Sequence, residues 1–290
     1  MRATFWGTRG SLASPGLDTI RYGGNTCCVE VRTDAEDLIV LDAGTGIRRL
    51  GQAIPDDAPR VDVLLSHLHM DHIQGLGFFD CLYRDGFPVH LWGPASTTMS
   101  LRTRLSRYLS PPLFPVRLRD LPCDLTLHDV GFEPFDIGGV TASCSLVCHP
   151  APTVGYRLEA DGVTLTYLSD HEPALGVRAF PPPPEWTSGY DLAHRADLLI
   201  HDTQYTEEEY ETRVGWGHST VEHAVAFAAA VGAKAYAPFH YDPTHDDARR
   251  DAMLAEAAAA LAGRCQVIPA REGDTVVVTR EGVLLPADLP

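Results

Sequence analysis

The chain has 290 residues, of which 44% are hydrophobic and 21% charged, and its formal net charge at pH 7 is −16. This composition is typical of a globular protein and argues against a disordered chain. Binding to phosphates or to anionic membranes requires clustered cations, so the acidic balance argues against nucleic-acid and membrane partners. No apolar run reaches the roughly 18 residues that a membrane helix needs. The N-terminus has no apolar signal core, so we expect one cytoplasmic domain over residues 1–290.

Short β-branched runs alternate with helical patterns along the chain. The predicted strands are 26–33, 38–41, 61–66, 89–92, 132–137, 141–148, 154–159, 163–168, 196–200 and 235–239, and the predicted helices are 97–109, 220–231 and 246–261. The Asp161-Gly162 pair predicts a hairpin turn, and a proline-rich loop is expected at 181–184. Two sheets packed face to face, with helices outside, would bury this pattern as one layered α/β domain. The seven cysteines are odd in number and form no CxxC pair, which favours free thiols over disulfides.

Residues 66–72 read Ser-His-Leu-His-Met-Asp-His and form the densest cluster of ligand-type side chains in the sequence. Imidazole nitrogens and carboxylate oxygens suit zinc and its neighbours in the transition series. On an extended strand end, His67 and His69 point to the same side. Asp71 and His72 can swing back to the same point as the chain turns into a helix. A polar surface cluster is the alternative, but it fits badly after an apolar strand, so the motif predicts a metal site.

Three further ligand-type residues each follow a predicted strand, namely His149, Asp170 and His240. Open α/β sheets place their sites at the C-terminal ends of strands. Each of the three residues alone could be a capping or turn residue. Together with the cluster in 66–72, they predict one shared site.

This constellation resembles the metallo-β-lactamase superfamily, and within it the ribonuclease Z and cyclic-nucleotide phosphodiesterase branch. The resemblance runs from the Trp6–Ser11 motif to His240 and implies a four-layer αββα sandwich. It also implies two divalent metal ions per chain, usually Zn²⁺, with Mn²⁺ or Fe²⁺ as alternatives. By this resemblance one ion is held by His67, His69 and His149 and the other by Asp71, His72 and His240, with Asp170 bridging both and Asp42 orienting a ligand histidine from behind. Asp42 is otherwise a simple turn aspartate.

Gly217-His218-Ser219 refines the branch, because phosphodiesterase-like members carry such a histidine shortly before the last metal ligand. Cleavage of a phosphodiester releases an alkoxide that must be protonated or held by a metal. His218 is otherwise a residue that precedes a helix cap. The leading hypothesis is a phosphodiesterase acting on a small cyclic nucleotide or related cyclic phosphate, with attack by a metal-bridging hydroxide. Asp71 and His218 are its predicted catalytic residues.

Two other kinds of function remain open from the residues alone. The same metal site would also suit hydrolysis of a lactone, a thioester or a β-lactam, because the same nucleophile attacks a carbonyl carbon. A metal-binding sensor without activity is the third alternative, although no ligand of the pattern is missing. The roles of His171, His201 and Asp202 stay open.

The resemblance also bears on substrate and partners. Arg9 and Asn25 lie in the matching N-terminal motifs and are the predicted substrate contacts, with a structural ion pair as the alternative for Arg9. Ribonucleases Z that process tRNA carry a long insertion between the positions matching His149 and Asp170, which here are only 21 positions apart. Together with the acidic charge, this predicts a small-molecule substrate and no tRNA. Because related proteins are commonly homodimers, we expect a homodimer.

Overall fold

Two mixed β-sheets lie face to face in the computed structural model, which describes residues 1–173, 175 and 184–288. Most of the predicted proline-rich loop, 181–183, therefore lies outside the described residues. The strands of the first sheet are β1 (Arg2–Gly7), β2 (Cys28–Arg32), β3 (Leu38–Leu41), β4 (Val61–Leu64), β5 (Pro88–Pro94), β6 (Asp124–Val130), β14 (Thr275–Val278) and β15 (Val283–Leu284). The strands of the second sheet are β7 (Phe135–Ile137), β8 (Val140–Leu146), β9 (Val154–Ala160), β10 (Val163–Leu168), β11 (Leu198–Asp202), β12 (Ala235–Phe239) and β13 (Gln266–Val267).

Seven α-helices occur in the described part of the chain, and several of them pack on the outer faces of the sheets. The seven are α1 (Ile47–Ala53), α2 (Met70–Ile73), α3 (Leu101–Leu105), α4 (Tyr190–Ala193), α5 (Glu207–Tyr210), α6 (Val221–Val231) and α7 (Asp247–Leu261). Among the residues that the structure describes, none of these helices has the length and hydropathy needed to cross a lipid bilayer.

The two sheets have the same arrangement of parallel and antiparallel strands. The first runs in the order β15-β14-β1-β2-β3-β4-β5-β6 and the second in the order β13-β12-β11-β10-β9-β8-β7. Strands β3 to β6 are parallel to one another, as are β10 to β13, whereas the remaining pairs are antiparallel. The parallel strands of each sheet place their C-terminal ends along one edge, which is where such folds bind ligands.

Three hydrophobic cores separate four layers. The central core packs the inner faces of both sheets together, with Phe5 of the first sheet against Phe239 of the second. A second core lies between the first sheet and α1, and a third between the second sheet and helices α6 and α7. This arrangement confirms the predicted αββα sandwich. All seven cysteines are free, and five of them are buried.

Most predicted elements are confirmed to within a few residues. The turn between β9 and β10 has positive φ at both Asp161 (55°) and Gly162 (72°), as a two-residue hairpin of the Asp-Gly type requires. The predicted helix 97–109 is shorter, because the Ser100 side chain caps the helix by accepting from the Thr103 amide, and α3 ends at Leu105. Strands β1, β6 and β13 to β15 were not predicted.

Candidate metal centre

The segments that follow the C-terminal ends of β4, β8, β10 and β12, including helix α2 after β4, converge between the two sheets. They carry all seven predicted metal ligands, and the structure brings the seven together as two adjacent groups. Within each group the ligand atoms lie within 4.8 Å of one another. The first group is His67, His69 and His149, and the second is Asp71, His72, Asp170 and His240.

Three histidines form the first group at the more open side of the centre. His149 Nε2 lies 3.2 Å from His69 Nδ1. Asp170 Oδ2 lies 3.8 Å from His67 Nε2 and 3.7 Å from His149 Nε2. His67 is buried and His69 is exposed, so this side of the centre faces solvent.

Two carboxylates and two histidines form the second, fully buried group. Asp71 Oδ2 lies 3.1 Å from His240 Nε2 and 3.2 Å from His72 Nε2. Asp170 Oδ1 lies 3.1 Å from His72 Nε2, and its Oδ2 lies 3.3 Å from His240 Nε2. Asp170 thus faces both groups, at the position between them that the family resemblance implies.

The chemistry of these donors fits divalent cations. Three buried atoms have no hydrogen-bond partner among the described residues: His67 Nε2, His72 Nε2 and Asp170 Oδ1. Leaving buried polar atoms unsatisfied costs free energy, and a bound cation would remove this cost. Burial lowers the pKa of His67 well below its ordinary value, so the ring is neutral and offers a lone pair. Burial alone would raise the pKa of Asp71, but the neighbouring His72 and His240 lower it, so this carboxylate is charged.

Asp42 holds the second group from behind. This residue has φ of +60° just after β3, and its carboxylate is fully buried. Oδ2 lies 2.7 Å from His72 Nδ1 and accepts from the Ser66 and Tyr167 hydroxyls at 2.8 and 2.9 Å, while Oδ1 accepts from the Ser66 amide at 2.7 Å. A proton on His72 Nδ1 would leave Nε2 unprotonated, with its lone pair available to a metal ion. Asp42 therefore has a partner for each oxygen and is more than a turn residue.

Gln204 supports His240 in the same way, and the sequence does not reveal it. His240 Nδ1 lies 2.9 Å from Gln204 Oε1, which leaves Nε2 to face the two carboxylates. His240 has φ of +58°, and a Cβ at Gly10 would come within 2.3 Å of its ring, so only glycine fits at position 10. Gln204 lies two residues after the end of β11, and no local signal in the sequence indicates such a role.

His218 lies beside the second group and is paired with Asp202. Its Nδ1 is 2.7 Å from Asp202 Oδ2, and its ring is stacked on His240 with centroids 4.9 Å apart. Asp202 Oδ1 also accepts from the Ser219 and Gln204 amides, both at 3.0 Å. These donors fix the carboxylate, which in turn fixes the orientation of the His218 ring.

The two other histidines of open role lie behind Asp202. His171 Nδ1 is 2.9 Å from His201 Nε2, and both rings pack on Phe227. Burial lowers the pKa of His201 to about 3 and that of His171 well below its ordinary value, so both are neutral. They are packing residues, whereas Asp202 contacts the site.

Glu172 positions the loop that carries His218, and sequence reasoning missed this residue. It is fully buried; Oε1 accepts from the Gly215 amide at 2.9 Å and Oε2 from the Gly217 amide at 2.7 Å. The Gly217 carbonyl in turn lies 2.9 Å from His149 Nδ1. One buried carboxylate thereby connects a metal-ligand candidate to the His218 loop.

The structure buries the side chain of Arg9. Its side chain is fully buried and donates to backbone carbonyls of the residues Gly23, Asp242 and His245. This burial contradicts the prediction that Arg9 contacts a substrate phosphate. The alternative, a structural ion pair, is not formed either among the described residues, because the guanidinium binds backbone carbonyls instead. Arg9 ties the N-terminal loop to the loop that follows His240.

Asn25 has a structural role as well. Its amide nitrogens, Nδ2 and the backbone N, both donate to the Glu272 carboxylate, and its carbonyl accepts from the Thr8 and Arg9 amides at 3.0 and 2.9 Å. These bonds fix the turn between β1 and β2. Asn25 is half-buried, and a substrate contact at this residue stays a prediction.

Known proteins of similar sequence and similar fold align with nearly the whole chain. The family described as "Beta-lactamase superfamily domain" matches residues 38–241. Ribonuclease Z of Mycobacterium bovis is 28% identical over 274 residues, covering 88% of this chain and 92% of that protein. Two solved structures are each 20% identical and cover 96% of this chain and 100% of their own: the Zn²⁺-bound PqqB of Methylobacterium extorquens (TM-score 0.67) and the short form of human tRNase Z (TM-score 0.66).

These relatives overturn one prediction. A small-molecule substrate with tRNA excluded is wrong, because the sequence relatives of this chain are named as ribonucleases Z. The physical error lies in the use of net charge, which sums over the whole surface, whereas binding depends on the charges near the site.

The fold implies a divalent metal, and the two groups of histidines and aspartates supply donors for it. The predicted superfamily resemblance is confirmed by the family match and by the relatives. The chain belongs to the β-lactamase superfamily, in its ribonuclease Z-like branch with the metallo-β-lactamase fold, and is a metal-dependent hydrolase.

Proposed function

We propose that the chain is a phosphodiesterase that depends on two divalent metal ions, preferentially Zn²⁺, and cleaves the phosphodiester bonds of nucleotides. His67, His69 and His149 would hold one ion, and Asp71, His72 and His240 the other, with Asp170 between them. The nitrogen-rich donor set favours Zn²⁺, with Mn²⁺ or Fe²⁺ as alternatives. When bound, such ions supply activated water and neutralise the charge of a phosphate.

The observation that carries this proposal is the His218–Asp202 pair beside the ligand groups. Hydrolysis of a phosphodiester needs a proton for the departing alkoxide, whose pKa is far above neutrality. Asp202 Oδ2, 2.7 Å from Nδ1, holds the His218 ring in one orientation and leaves Nε2 free of that bond. We therefore assign His218 as the proton donor and Asp202 as its positioning residue. Asp71 would act on the reaction through the ion that it holds.

RNA is the first candidate substrate, because the sequence relatives are named as ribonucleases Z. A cyclic nucleotide is the second candidate. The short connection between His149 and Asp170 favours it. Strands β9 and β10 and their tight Asp161-Gly162 turn fill this interval, where ribonucleases Z that process tRNA carry a long insertion. Both substrates present the same bond to the same residues.

The direct test is hydrolysis by the metal-loaded protein. We expect release of p-nitrophenol from bis(p-nitrophenyl) phosphate, and cleavage of RNA or of 2′,3′- or 3′,5′-cyclic nucleotides. A thioester and a chromogenic cephalosporin test the carbonyl alternative. Activity on these two and none on any phosphodiester would overturn the proposal, and metal content is measured in parallel.

His218→Ala is expected to keep the metal and lose turnover. Because only the proton donor is removed, kcat for RNA or a cyclic nucleotide, whose leaving alkoxide needs that proton, should fall by roughly 10²–10⁴-fold, the usual contribution of a general acid. Metal content, measured by elemental analysis, should match that of the wild type. His194→Ala, which removes an exposed histidine beside Tyr190, is the control and should leave both quantities unchanged. An unaltered kcat in His218→Ala would reject the assigned role.

Gly217→Ala is expected to disturb His149. A Cβ at this position would lie 2.2 Å from His149 Nδ1, and φ here is +88°. Because displacement of a reacting group by about 1 Å can cost about 10²-fold in rate, we expect a loss of that order in kcat/KM. Gly215→Ala is a matched control: φ is +84°, but an added Cβ meets nothing within 4 Å. Equal losses in both variants would attribute the effect to backbone strain alone.

A further inference from the structure

The arginines of this acidic chain are unevenly distributed. Arginines stand at 102, 104, 107, 117 and 119, which is five of the 23 Lys and Arg residues. No Asp or Glu occurs from residue 86 to residue 119. The segment that contains α3 and the loop after it is therefore locally basic, although the whole chain carries a net charge of −16.

A cavity of about 500 Å³ joins this segment to the metal centre. His69 and Met70 line it at the side of the centre, and Met99, Tyr108 and Leu113 supply apolar wall. Met70 and Leu113 are exposed to 50% and 71% and add further apolar surface to the same cavity. The volume lies within the range of roughly 300–1,000 Å³ typical of ligand sites.

Two arginines line the same cavity, and they differ in their partners. Arg104 lies 3.2 Å from the Asp129 carboxylate and donates to the Pro94 carbonyl. Arg107 is exposed, and its guanidinium contacts only the Met99 thioether, at 3.3 Å, with no carboxylate among the described residues within 4.0 Å. A thioether is a weak acceptor, so the charge of Arg107 is uncompensated.

We propose that this cavity binds the nucleotide next to the scissile phosphodiester in a single-stranded nucleic acid. The base lies against Met99 and Tyr108, and the following phosphate pairs with Arg107. Apolar walls suit the faces of a base, and a guanidinium matches the oxygens of a phosphate. This inference rests on the proposed function and deepens it. A cyclic mononucleotide has one phosphate, which the metal centre takes, and so leaves Arg107 without an anion.

The test is equilibrium binding to the metal-loaded full chain. The probe is a fluorescein-labelled RNA tetranucleotide, followed by anisotropy, and the recovered RNA is checked for cleavage. Arg107→Gln should raise Kd by about tenfold, in the range expected for a charge-assisted hydrogen bond. The slope of log K against log salt should fall by about 0.7, as for one lost phosphate contact on a single strand. Arg107→Lys should recover part of the affinity.

Arg264→Gln removes the same charge from an exposed position beyond the end of α7 and should leave Kd within about twofold of the wild type. A Kd for Arg107→Gln within about twofold of the wild-type value, or an equal loss in Arg264→Gln, would overturn the inference. Binding is measured separately from turnover. Absence of hydrolysis by the wild type would thus count against the proposed function, and an unchanged Kd against the cavity.

Discussion

Asp170→Ala is expected to remove metal and activity together. Its two oxygens face four histidines of the two ligand groups, with Oδ1 3.1 Å from His72 and Oδ2 3.3 Å from His240. Loss of an ion removes several kcal/mol of charge stabilisation in the transition state. Since each 1.36 kcal/mol is tenfold in rate, kcat/KM for bis(p-nitrophenyl) phosphate should fall by about 10³-fold or more.

Elemental analysis of the purified variant should show fewer than the wild-type number of ions per chain. Asp85→Ala, which removes an exposed aspartate from the loop before β5, is the control and should retain both metal and activity. Thermal unfolding with and without added metal separates a lost site from a lost fold. Full activity in Asp170→Ala would remove the basis for a metal pair centred on this carboxylate.

The ligand set could be predicted because its signals are local. Four ligands lie within residues 66–72, and the other three each follow a strand whose apolar pattern is plain in the sequence. The C-terminal ends of neighbouring parallel strands must meet at one edge of a sheet. Locating the strand ends in the sequence therefore locates the site, even when no long-range contact is known.

The supporting residues could not be predicted, because their roles depend on contacts between distant segments. Glu172 binds amides more than 40 positions away, and Arg9 binds carbonyls more than 230 positions away. An arginine in a motif reads as a phosphate contact until burial is known. Local sequence does not encode burial of this kind, since it arises only when the two sheets close.

The prediction that excluded RNA as a partner is wrong for a related reason. Net charge counts every surface residue equally, yet Asp and Glu are absent from 86 to 119 and arginines cluster there. Because salt screens charges beyond about 8 Å, distant acidic residues have little effect on a phosphate at this surface. The distribution of charge near the metal centre, rather than its sum, decides which anions can approach.

Asp42→Ala is expected to destabilise the fold and to weaken metal binding at once. Its carboxylate joins the two sheets, since Ser66 and His72 follow β4 of the first sheet and Tyr167 belongs to β10 of the second. The Ser66 amide, His72 Nδ1 and the Tyr167 hydroxyl are all buried donors that would lose their acceptor. Each such donor left unsatisfied costs on the order of 1–3 kcal/mol, so we expect the free energy of unfolding to fall by about 3 kcal/mol or more.

Urea unfolding of the metal-free protein measures the loss of stability. Titration with Zn²⁺ measures the loss of metal affinity, which we expect to be roughly 10–100-fold because His72 is no longer oriented. Asp42→Asn can keep an oxygen towards His72 and Tyr167 and should recover part of both losses. Asp62→Ala removes another buried aspartate, from β4, whose partners are Arg60 and Trp92. It should lower stability without changing the affinity for Zn²⁺. If Asp42→Ala behaves like Asp62→Ala, Asp42 supports the sheets but does not orient the metal ligand.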